Sequence, residues 1–240
     1  MKAPVLLSLM LLATPAPAAT FTPPEGCTAT RTVQGRGCYV SNFYTCAADA
    51  PGDQWRADYD LEGMFFRSRI DFETQWVESY DLNPTVRQTL DANPSDPASF
   101  SDLLAKGFDS FNFSLTKDNG EHTTVTGFDR LTGRSKVIDG VTLQETEFEY
   151  TETADDGTVI SAARGHEFVH ADWRTFFSGT SDWDQGDGTS LPFEGSPVSF
   201  ALPGEPGFGA TQPIYECDDI MSDAAQADLL PTPAALQVAP

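Results

Sequence analysis

The chain has 240 residues and a formal net charge of -22, from 14 Lys and Arg against 36 Asp and Glu. So acidic a polypeptide repels the phosphates of nucleic acid and of anionic membranes, which argues against both as partners and leaves cations, basic proteins or uncharged ligands. The acids are scattered rather than blocked, the pattern of a solvated surface.

The chain starts with Lys2, an apolar run from Val5 to Leu12 and the small-residue sequence Ala16-Pro17-Ala18. A short positive start, a brief apolar core and a small-residue site are the parts of a secretory signal peptide, expected over residues 1–18 with cleavage near Ala18. The apolar run is too short to span a bilayer, and no later stretch is long enough. The mature chain is therefore expected in the periplasm or outside the cell, without a transmembrane span. Residues 19–221 are expected to form a single disulfide-stapled β domain.

Four cysteines follow: Cys27, Cys38, Cys46 and Cys217. There is no CxxC, so the spacing supports neither a redox-active pair nor a zinc ribbon. An even count in an exported chain implies two disulfides. A hairpin turning near Gln34-Gly35-Arg36-Gly37 brings residues 27 and 46 together. The expected pairs are then Cys27–Cys46 and Cys38–Cys217, the second tying the two ends of the domain together.

From Phe66 to Tyr80 the residues alternate, with Phe66, Ile70, Phe72, Trp76 and Tyr80 on one parity and Arg67, Arg69, Asp71 and Glu73 on the other. That predicts one long strand with a core face and a wet face. Asn83-Pro84 suggests a short helical turn. Asp96 and Pro97 start a helix expected over about 97–106, with an apolar stripe at Phe100, Leu103 and Leu104 and a stop at Gly107. Phe111, Phe113 and Leu115 mark a strand that turns at Asp118-Asn119-Gly120 and returns through His122 to Thr126. Ile138-Asp139-Gly140-Val141 turns again, Val141 to Thr151 is strand-like, and Asp155-Asp156-Gly157 precedes the strand beginning at Thr158. Turns at this spacing predict an antiparallel meander.

His166-Glu167-Phe168-Val169-His170 spells HExxH and resembles the zinc motif of the zincin metallopeptidases, in which His166 and His170 would be ligands and Glu167 the general base. That chemistry needs a helix, where residues four apart share a face one turn apart. On a strand the two imidazoles lie roughly 13 Å apart and Glu167 points to the opposite face. Ile160, Ala162 and Phe168 share one parity, which favours the strand. No suitable third ligand follows, since Trp173 stands where a metzincin needs glycine.

Asp182, Asp184, Asp187 and Glu194 approach an EF-hand loop with one residue inserted before Asp187, and Pro192 lies within it. Alternating carboxylates around Gly186 and Gly188 could supply hard oxygens to calcium, though no helix flanks the segment. Residues 186–213 are dense in Gly and Pro and are expected to be extended loop, with a late strand over Val198 to Leu202. Residues 222–240 are expected to be a disordered tail.

The expected fold is all-β: an antiparallel meander curved into an open or closed barrel, with one short helix over an opening. Most of the 17 phenylalanines fall in predicted strands, so the concave face is apolar, either filled or enclosing a cavity. There is no GxSxG, Walker A or strand-linked GxGxxG. The leading expectation is an exported, non-catalytic binding or envelope-associated protein with an apolar ligand or an envelope protein as partner. The alternatives are a zinc peptidase using His166, Glu167 and His170, and a calcium-binding protein using the 182–194 segment. Calcium is the more plausible cofactor of the two, and neither is required.

Overall fold

The computed structural model describes residues 20–217 apart from 187. The expected signal peptide and tail, residues 1–18 and 222–240, lie outside the described residues.

The strands are β1 (Cys27–Gly35), β2 (Tyr39–Cys46), β3 (Gln54–Tyr59), β4 (Met64–Ile70), β5 (Trp76–Leu82), β6 (Thr85–Leu90), β7 (Phe108–Lys117), β8 (His122–Ile138), β9 (Val141–Ala154), β10 (Val159–His170), β11 (Thr175–Asp184), β12 (Ser190–Glu194) and β13 (Pro197–Ala201). One helix, α1 (Phe100–Lys106), precedes β7. All 13 strands belong to one sheet, in the order β12 through β1 and then β13. The meander runs unbroken from β1 to β12, and β13 returns antiparallel to β1. The sheet is strongly curved but not closed into a barrel: its edges are β12 and β13, separated in sequence only by Gly195 and Ser196.

Tight turns set this topology. Asp139 and Gly140 have φ of 48° and 79°, the backbone a two-residue hairpin with the strands' own twist requires. Register shifts within β1, β4 and β10 mark bulges, which bend a sheet. Curvature brings distant strands face to face. Phe43 on β2 and Phe177 on β11 have ring centroids 5.9 Å apart, although many strands separate them along the sheet. The concave face thereby packs on itself, with Phe111, Phe113, Val125, Phe148 and Tyr150 in one cluster and Val33, Phe43, Leu143, Phe168 and Phe177 in another.

Four local expectations are corrected. The alternating run from Phe66 to Tyr80 is a hairpin, not one strand. Asp71 Oδ1 accepts the backbone N–H groups of Glu73 and Gln75, at 2.8 and 3.0 Å, and Thr74 takes φ 65°. A side-chain-capped turn of this kind competes with a continuous strand. Because Ser68 then faces Ser79, the parity inverts after the turn: Phe66 is buried in the core while Tyr80 lies opposite Arg67 on the other face.

Asn83-Pro84 forms the two-residue connection between β5 and β6, not a helical turn. The helix starts three residues later than expected. Ser99 is its N-cap, with Oγ accepting from Asp102 N at 3.2 Å. Asp96 is occupied elsewhere, bridging to Asn112 and accepting from Ser110 Oγ. Gly107, at φ 76°, ends the helix as expected. Finally, residues 186–213 are not all loop. They hold β12 as well as β13, and the 182–194 segment is the β11–β12 hairpin.

The two disulfides join Cys27 to Cys46 and Cys38 to Cys217. The first pairs directly opposed residues of β1 and β2. The second pins the end of the described chain to the β1–β2 turn.

Candidate functional site

The curved sheet leaves a cavity of about 70 Å³ on its concave side, between β2–β6 and the start of β11. Its origin lies in one row of paired residues. Phe43, Arg56, Ser68, Ser79 and Gln88 stand opposite one another across five strands. Serines occupy the middle of that row, where a filled core would carry larger side chains. Phe66, Ile70, Trp76, Leu115 and Phe176 surround the gap with apolar surface, and Gln54 and Thr175 add polar groups. A space of this size holds roughly two or three waters, or a group of about as many heavy atoms.

Arg56 lines the cavity, and its Nε lies 2.9 Å from an Asp58 carboxylate oxygen. Arg31, on β1, sits behind the wall and is only 4% exposed. Its Nη2 donates to Gln54 Oε1 at 2.9 Å and to Thr175 Oγ1, two of the lining side chains. The guanidinium lies 4.1 Å from the Phe43 ring centroid and 5.3 Å from that of Trp173. Among the described residues no carboxylate pairs with Arg31, and its Nε has no hydrogen-bond partner. Burial lowers its pKa to about 9, so the group stays charged at neutral pH.

The same concave face buries acids. Glu167 is 2% exposed, with Oε2 unbonded, and Asp129 is 3% exposed, with Oδ1 unbonded. Burial holds Glu167 well above the usual carboxylate range; nearby Asp129 pushes the same way and Arg56 opposes. Asp129 is likewise held high by burial, then by Asp109. Asp109 itself is raised to about 6 by burial, with the N–H of Ser99 opposing. Burial thus favours the neutral form of both Glu167 and Asp129. Strand parity carries the signal for Glu167: it shares a face with Ala163 and Gly165, not with His166.

The HExxH segment lies on β10. Glu167 points into the interior while His166 lines a shallow outer groove with Glu147, Glu149, Arg164, Asp182 and Glu194. His170, at the strand end, stacks on Trp173 at 4.0 Å, and its Nδ1 accepts the Trp173 N–H. Four strand residues separate the imidazoles by about 13 Å. His122, far off on β8, pairs with Asp91 and Asp155. The sheet therefore does not bring His166, Glu167 and His170 to one point.

Asp182 and Asp184 stand two apart along β11, both on its exposed side, and Glu194 is on β12. Asp184 Oδ1 accepts from Gly186 N, and Glu194 Oε1 accepts from Ser196 N. Asp187 lies outside the described residues. The three described acids follow two strands rather than ringing a point. Among the described residues no three His, Cys, Asp or Glu side chains are grouped to hold a metal ion.

The composition contains no single motif that announces the cavity or Arg31. The nearest signal is the pair of serines at matched positions of two adjacent strands, visible only once the Asp71 turn is recognised.

No protein-family model matches the sequence, and no curated protein matches it. One solved structure resembles the fold distantly: a candidate exported protein with a YmcC-like fold from Bacteroides fragilis, at TM-score 0.42 and 10% identity, covering 77% of this chain and 99% of the other. At that distance the likeness carries no conclusion about activity.

Proposed function

We propose that the protein is an exported, non-catalytic binding protein whose site is the concave cavity between β2–β6 and β11. The observation that carries this is the cavity itself. It has an apolar wall of Phe66, Ile70, Trp76, Leu115 and Phe176, with polar groups from Arg56, Gln54 and Thr175 converging on it. Apolar walls with a few placed polar groups are the usual composition of a small-molecule site. The volume limits the occupant to a very small molecule or the tip of a larger one. Two disulfides suit an oxidising compartment outside the cytoplasm. No helix among the described residues is long and apolar enough to cross a membrane.

The test is to fill the cavity. Ser68→Phe places an aromatic ring where the row is smallest. Small molecules released by denaturing the purified wild-type protein are identified by mass spectrometry. A specific compound is expected from the wild type and not from a folded Ser68→Phe. Identical extracts from both proteins would remove the cavity as a binding site.

A further inference from the structure

We propose that the ligand of this cavity carries a carboxylate, and that Arg31 is the charge that compensates it; this rests on the cavity being a binding site.

Arg31 is out of water and lacks a counter-ion among the described residues. A buried cation without an opposite charge is among the least favourable arrangements in a protein interior. Neutral partners take some of its protons: Thr30, Gln54 and Thr175 accept from its terminal nitrogens. None of them supplies negative charge. The nearby interior acids do not supply it either. Asp58 is committed to Arg56 and Ser41, and burial favours the uncharged form of Glu167 and Asp129. Arg31 thus has no bonded carboxylate among the described residues, although the whole molecule carries a total of -22.

The surroundings of the charge decide the ligand's shape. Gln54 and Thr175 hold the guanidinium and also line the cavity. An anion placed against them lies in the field of Arg31, in a region where few waters screen it. Arg31 does not itself line the cavity, so it acts on a ligand as a charge behind Gln54 and Thr175. Arg56, Arg69 and Glu78 also line the cavity, but most of its surface is apolar, from Phe66, Ile70, Trp76, Leu115 and Phe176, so the carboxylate belongs to a short hydrocarbon chain or to the end of a longer one.

Butanoate and butan-1-ol are matched probes that differ in charge, and the polar end of each fits the space. Each is titrated into the mature, disulfide-intact protein and followed by backbone amide shifts in NMR. The wild type is expected to bind butanoate about tenfold more tightly than butan-1-ol, through attraction to the charge behind the wall. Arg31→Gln is expected to lose that preference, and Arg31→Lys to keep part of it. Equal binding of the two probes to the wild type overturns the carboxylate assignment and leaves the cavity as a site for neutral ligands. Unchanged preference in a folded Arg31→Gln overturns the role of Arg31. Failure of both probes to shift the cavity residues Ser68, Ser79 and Thr175 removes the site itself. If Arg31→Gln does not fold, the comparison of the two probes in the wild type still decides.

Discussion

Glu167 shows how one residue's environment reverses its expected role. Within HExxH it reads as a base, which must be ionised to work. On β10 it faces the apolar interior, where burial favours the neutral acid. A carboxyl group whose pKa is higher folded than unfolded binds more protons in the native state. Its stabilising effect is complete below its unfolded pKa, near 4.5, and is lost as pH rises toward the folded value. Stability of the wild type is therefore expected to fall between pH 5 and 8. Glu167→Gln, uncharged at every pH, is expected to flatten that fall and to be the more stable protein at pH 8. Urea-unfolding free energies across that range check it; equal slopes in the two proteins would show that Glu167 is ionised in the fold. Arg31 is the opposite case at the same scale: burial lowers its pKa, yet it remains a cation, which is why it calls for an anionic partner.

At the scale of single elements, local side-chain hydrogen bonds outweighed strand and helix patterns. Period two was legible in most strands because one face of each packs inward. It misled between Phe66 and Tyr80, because alternation persists across a turn that occupies Asp71 to Gln75. Three oxygen-bearing candidates, Asp96, Ser95 and Ser99, precede α1, and propensity ranks them nearly equal as caps. Ser99 caps because Asp96 and Ser95 are engaged with β7, at Ser110 and Asn112. Ser99→Ala is expected to lower stability by about 1 kcal/mol, the usual worth of a cap, in denaturant unfolding at pH 7. Asp96→Ala should not disturb the helix end; a loss of helical signal there would reassign the cap. β12 was missed for a different reason. Its five residues include Pro192, tolerated because an edge strand has one unpaired side.

For the molecule as a whole, curvature and two cross-links hold an open sheet in shape. The Cys27–Cys46 bridge closes 19 residues and the Cys38–Cys217 bridge 179. The chain-entropy model assigns roughly 3 kcal/mol to the short loop and roughly 5 to the long one. Replacing Cys38 and Cys217 together by Ser is therefore expected to lower stability more than replacing Cys27 and Cys46, by about 2 kcal/mol. Denaturation of the two double variants measures the difference. A larger loss from the short bridge would mean that the folded ends do not depend on the long one.

The sequence by itself determined the class of fold: period-two alternation, Asp-Gly and Asn-Gly turns and an even set of cysteines leave little but a disulfide-bonded antiparallel meander. These are local signals, written within about ten residues of one another. Only the tertiary structure decided that the sheet stays open, that Ser68 and Ser79 leave a gap, and that Arg31 and Glu167 face inward with no bonded partner of opposite charge among the described residues. Those outcomes depend on which strands curvature brings face to face, and contact between β1, β2 and β11 has no trace in any short stretch of the chain.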